Sequence, residues 1–123
     1  MAGIGVWILI RNDPVSAGVE AVPLLGGERI VVEVLNGSGR RGFARTATRA
    51  LRQAGFDVVY FGTVADPVAV TQVIARRGDS SAAVRVARAL GIGQARVRQD
   101  TLLRVDVTVL LGPDYRPPPG FRP

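Results

Sequence analysis

The sequence predicts a single α/β domain in which a mixed sheet carries two helices on one face. Three observations predict it. Apolar, β-branched segments (30–35, 56–61, 70–75, 95–98 and 105–111) are interrupted by two Ala- and Arg-rich stretches with helical spacing. Those stretches echo each other: Ala44-Arg45-Thr46-Ala47-Thr48-Arg49-Ala50-Leu51 resembles Ala83-Val84-Arg85-Val86-Ala87-Arg88-Ala89-Leu90, and each runs on to a glycine and a strand, as in duplicated βαβ-like halves. Finally, 123 residues at 47% hydrophobic content support one core and are too few for two ordinary ones. The resulting order, βαββαββ, is a variant of the split βαβ arrangement.

Residues 1–10 open with the apolar run Gly3 to Ile10, far short of the about 20 residues that a spanning helix needs. Two readings stand: a strand docked on the domain, or the remnant of a membrane anchor. Residues 11–27 hold turn formers without a period and read as a linker. The domain proper is expected over 28–115. Ile30-Val31-Val32-Glu33-Val34-Leu35 has the near-continuous apolar character of a strand covered on both faces. A turn at Asn36-Gly37-Ser38-Gly39 leads into a helix over about 41–54. Its Phe43, Ala47, Ala50, Leu51 and Ala54 make one apolar stripe, and Gly55 caps its end.

Phe56 to Phe61 is the second strand, parallel to the first through a right-handed crossover. Val70 to Ala75 is a third. Asp79 is the expected N-cap of a second helix ending near Leu90. A short strand at 95–98 and the alternating strand at 105–111 complete the sheet. Val31, Leu35 and Leu110 point away from the helix-facing stripe, so the second sheet face should be partly covered, by residues 1–10, a second copy of the chain, or a neighbour. The Pro-rich stretch 116–123 reads as an extended, disordered tail.

Composition excludes much chemistry. The chain contains no His, Cys or Lys, which removes imidazole and thiolate metal sites, Ser-His and Cys-His nucleophile pairs, Schiff-base lysines and the phosphate-loop lysine. No paired carboxylates stand at a spacing suited to glycoside hydrolysis. Neither a metal nor a cofactor is expected. The net charge of +6 is concentrated: residues 40–52 hold five arginines and no acid, so a local basic patch suited to a polyanion or an acidic protein surface describes the chain better than a basic protein does.

Val32-Glu33-Val34-Leu35-Asn36-Gly37-Ser38-Gly39, followed by Gly42, Ala44, Ala47, Leu51 and Ala54-Gly55-Phe56-Asp57-Val58, resembles the LytR C-terminal domain family. The likeness continues through Val73-Ile74-Ala75, Gly78-Asp79, Ala82-Ala83, Ala87 and Leu90-Gly91, and closes with Val105 to Tyr115. The resemblance implies an extracytoplasmic, non-catalytic accessory module of the bacterial cell envelope. Such a module is found behind wall-decorating transferase domains or behind a single membrane helix, which favours the anchor reading of residues 1–10. The transferase activity itself is not carried over, because its domain would not fit in this chain.

The candidate binding residues are Gly37, Ser38, Gly39, Arg40, Arg41, Arg45, Arg49 and Arg52. Gly37-Ser38-Gly39-Arg40-Arg41-Gly42 has the form G-x-G-x-x-G between a strand and a helix. The acidic residue that a dinucleotide site needs at the end of the second strand is missing, since that strand ends Phe61-Gly62-Thr63. A tight turn, or an anion site at a helix N-terminus, is left. Arg41, Arg45, Arg49 and Arg52 share one side of the first helix, as a solvated face or as a guanidinium ladder for anionic wall polymers, lipid heads or an acidic partner. Nucleic acid is not expected, because stacking aromatics are missing from the patch. A small domain or enzyme using the Gly37–Gly42 loop for a phosphorylated ligand is the alternative. Arg77-Gly78-Asp79 is read as a turn and a cap.

Overall fold

The structure is a computed structural model that describes residues 6–9 and 29–121. Among them are six strands and two helices: β1 (Val6–Leu9), β2 (Val31–Asn36), α1 (Phe43–Gln53), β3 (Asp57–Thr63), β4 (Gln72–Ala75), α2 (Ser81–Ala89), β5 (Gln94–Val97) and β6 (Val107–Leu111). The strands form one mixed sheet in the order β1-β5-β4-β6-β2-β3. From β2 onward the element order is the βαββαββ read from the sequence.

Two parallel βαβ units make up the sheet. β2 and β3 pair in parallel around α1, and β4 and β5 pair in parallel around α2. β6 joins them, parallel to β2 on one side and antiparallel to β4 on the other. The helix-facing rows are apolar: Val32 lies opposite Val107, Val34 opposite Val109, and Val109 and Val107 opposite Val73 and Ala75. All six are fully buried. Leu51 of α1 and Val86 of α2 are also fully buried on this core. Such a side chain contributes about 1.5–3 kcal/mol relative to an exposed one.

Helix ends fall where backbone angles dictate. α1 starts behind Gly42, at φ +90°, and its C-terminal amide bonds are followed by Gly55 at φ +98°, a left-handed position that side chains with a Cβ avoid. At α2 the expected cap is displaced by one residue. Ser80 occupies the N-cap, while Asp79 Oδ1 accepts from the Ser81 amide at 3.0 Å.

One expectation about the chain ends needs correction. β1 runs antiparallel to β5, with Val6 opposite Val97 and Leu9 opposite Gln94, an edge strand that the βαββαββ order does not include. The linker at 11–27 lies outside the described residues. The tail was expected to be disordered from 116; instead Phe121 packs partly buried against the core and its amide donates to Pro118 O at 3.0 Å. An apolar anchor at the end of a proline run, which loses little entropy on ordering, explains the difference.

Candidate functional site

The loop between β2 and α1 is organised by Asn36, whose side chain is buried. Its Oδ1 accepts from the Ser38 amide at 3.0 Å and from Ser38 Oγ at 2.6 Å, and its Nδ2 donates to Arg40 O at 2.9 Å. Ser38 Oγ in turn accepts from the Arg40 amide at 2.9 Å. The Gly37 amide donates to Leu111 O at 2.9 Å. Three amides of the glycine motif are therefore committed inside the protein. A Cβ on Gly37 would lie 3.1 Å from Val68 Cγ2 and 3.3 Å from Val64 Cγ2, so this glycine exists for close packing of the loop at 64–68. The sequence could not separate that role from phosphate approach, since both select glycine.

Arg40, Arg41, Arg45, Arg49 and Arg52 are all exposed. Arg52 Nη2 donates to Val58 O at 2.8 Å, which ties the helix side to the first turn of β3. Arg41, Arg45 and Arg49 have no carboxylate partner among the described residues; the ion pairs there join Arg29 to Asp57 and Arg77 to Asp106. Burial draws the apolar side of α1 to the sheet, and the 100° step per residue leaves Arg45, Arg49 and Arg52 outside; Arg41, expected on the same helix side, instead precedes the helix, because Gly42 at φ +90° starts it only at Phe43.

Beside the loop, Arg40 and Arg116 stand at a cleft of about 660 Å³ walled by Phe43, Tyr115 and the Pro117–Phe121 stretch. Phe43 and Tyr115 meet edge to face with centroids 5.3 Å apart. Burial pushes the Tyr115 phenol above the usual tyrosine range, with the Thr46 hydroxyl pulling the other way. Sequence reading missed this cleft, because its C-terminal wall was assigned to a disordered tail.

The helix-free face carries a second arrangement that the sequence did not reveal. Thr108 Oγ1 donates to Glu33 Oε2 at 2.7 Å and accepts from Arg76 Nε at 3.0 Å, and Arg76 Nη1 donates to Arg98 O at 3.1 Å. Desolvation lowers the Arg76 pKa, opposed by Asp100 and Glu33; a guanidinium stays charged regardless. Thr108 and Ile74 are buried on this face, while Val31, Leu35 and Leu110 are half-buried. Asp106 is structural: its Oδ2 accepts from the Val31 amide at 2.8 Å. No group of His, Cys, Asp and Glu able to hold a metal occurs among the described residues, and no helix among them is long and apolar enough to cross a membrane.

Comparison with known families matches residues 29–115 to LytR_C, described as LytR cell envelope-related transcriptional attenuator. A comparison with curated proteins finds no match. Among solved structures, the chain is similar to the soluble domain of a conserved hypothetical secreted protein from Mycobacterium marinum, at 22% identity and TM-score 0.59, covering 82% of this chain and 70% of that one. That likeness is one of fold. The C-terminal domain of RV0431 matches at 34% identity and TM-score 0.48, covering 68% of this chain and 72% of that one.

Proposed function

The chain belongs to the LytR_C family of cell-envelope-associated domains, and on that footing we propose that it is a non-catalytic, extracytoplasmic binding or scaffolding module whose contact surface is the arginine side of α1. One observation supports this reading above others: Arg45 and Arg49 are exposed on α1 and Arg41 just before its N-cap, all three without a carboxylate partner among the described residues. Arginine forks pair bidentately with phosphate and carboxylate groups, so an anionic wall polymer is the expected partner. Arg40 and Arg116 extend the basic surface to the neighbouring cleft. The Ser38 and Arg40 amides bond within the loop, which makes the glycine loop a firm support for this surface.

Sedimentation with purified cell-wall sacculi, with and without their attached anionic polymers, tests the proposal. Binding should need the polymer and should weaken steeply with salt, because the Debye length falls from about 10 Å at 0.1 M to about 3 Å at 1 M. The triple variant Arg41→Glu, Arg45→Glu, Arg49→Glu should lose it while unfolding at nearly the wild-type temperature. Undiminished binding by the folded triple variant would place the contact elsewhere.

A further inference from the structure

We propose that the outer edge of β3, with the arginine side of α1 above it, accepts an extended acidic segment of a partner protein as an added strand. The proposal deepens the binding-module reading and rests on it. β3 is the outermost strand of its half of the sheet. Val59, Tyr60 and Phe61 are 54%, 55% and 41% exposed, and no charged residue occurs between Asp57 and Asp66. A long, apolar, uncharged edge invites strand addition, and proteins usually guard it.

Here the guard covers only one end. The amides of Asp57 and Val64 turn inward, to Ile30 O and Asn36 O of the β2 side. Arg52 caps the outward Val58 carbonyl at 2.8 Å. Beyond that point Phe61 and Thr63 are exposed. A Cβ on Gly62 would lie 2.5 Å from the Tyr60 hydroxyl, so the Tyr60 ring lies along the strand over Gly62 and presents a flat apolar surface.

Charge selects the occupant. By helical geometry Arg45, Arg49 and Arg52 fall within about 60° of one another around α1, and Arg45 stands about 10 Å from Arg52 along the axis. α1 is the crossover helix of the β2–β3 unit and runs antiparallel to β3. With Arg52 above Val58, Arg45 is therefore level with about the third residue on, Phe61. The basic line follows the uncapped part of the edge. A second copy paired across a two-fold axis would bring two such lines together and repel itself, whereas an acidic strand is complementary. In the added strand, acids at every second position would face the arginines, and the intervening apolar residues would lie beside Tyr60, which the register places on the helix-free side with Glu33.

The test is an NMR titration of the 123-residue chain with the octapeptide Val-Glu-Val-Glu-Val-Glu-Val-Glu, with the same peptide N-methylated at every amide, and with poly(glycerol phosphate). The plain peptide should shift and protect the Phe61 and Thr63 amides. Backbone methylation should weaken its binding at least about tenfold, as should the pair Arg45→Glu, Arg49→Glu. Equal binding of the plain and methylated peptides, or shifts away from β3, would overturn strand addition. If the polymer binds through the arginines but the peptide leaves β3 unmoved, strand addition fails and the polymer reading stands. If arginine reversal changes neither, both fail.

Discussion

Replacing Thr108 by valine keeps the shape of the side chain and removes the hydroxyl that joins Glu33 to Arg76. Thr108 is 1% exposed, its donor distance to the Glu33 carboxylate is 2.7 Å, and its acceptor distance from Arg76 Nε is 3.0 Å. Hydrogen bonds to charged groups are worth about 1.5–3 kcal/mol each. Water reaches the half-buried Glu33 and Arg76 and replaces part of what is lost, so the net cost of Thr108→Val is set at about 2 kcal/mol, nearer one such bond than two. For a domain of this size that lowers Tm by roughly 8–15 °C. Urea unfolding followed by circular dichroism measures it, with m unchanged if only the native state is affected. A double-mutant cycle with Glu33→Gln should give a coupling of at least about 0.5 kcal/mol. A single-variant loss below about 0.5 kcal/mol, or additive effects in the cycle, would refute the bridging role of the hydroxyl.

Deleting residues 1–9 removes the pairing of four residues with β5; thermal unfolding should fall by several degrees, and an unchanged Tm would mean that β1 contributes nothing. Gly112→Ala places a Cβ 2.8 Å from the Val70 carbonyl carbon and should destabilise by about 1–3 kcal/mol, whereas Gly39→Ala meets nothing within 4 Å and should cost only the strain of its φ of +77°, about 1 kcal/mol; denaturant midpoints separate the two. Tyr115, whose folded pKa is raised above its unfolded value near 10 by burial, binds its proton more tightly in the folded state. Its contribution is complete below about pH 10 and is lost as pH rises through the folded value, so Tyr115→Phe should flatten the alkaline fall in stability.

The fold was legible because periodicity and punctuation agreed. The continuous apolar run at 30–35, the stripe Phe43, Ala47, Ala50, Leu51 and the glycine at 55 each specify a local shape that the sheet then uses. What escaped depended on partners distant in sequence. Glu33 and Thr108 are 75 residues apart, and nothing local distinguishes that pair from two ordinary strand residues facing water. Val6 to Leu9 lacked a visible partner until β5 was placed beside it. The five arginines were legible as a group, but the divided role of Arg52, half ladder and half cap on Val58, required the position of β3.

The strand that joins the two halves of this sheet follows both of them along the chain. β6 alone bridges the two βαβ units, and both of its neighbours, β2 and β4, leave the ribosome well before it. Until residues 107–111 emerge, each unit has an open inner edge and a half-covered apolar face, so neither can settle into its final form. Completion of either unit thus waits for residues 107–111 instead of proceeding unit by unit. A truncation just before Val107 should yield two sticky halves, not a smaller domain.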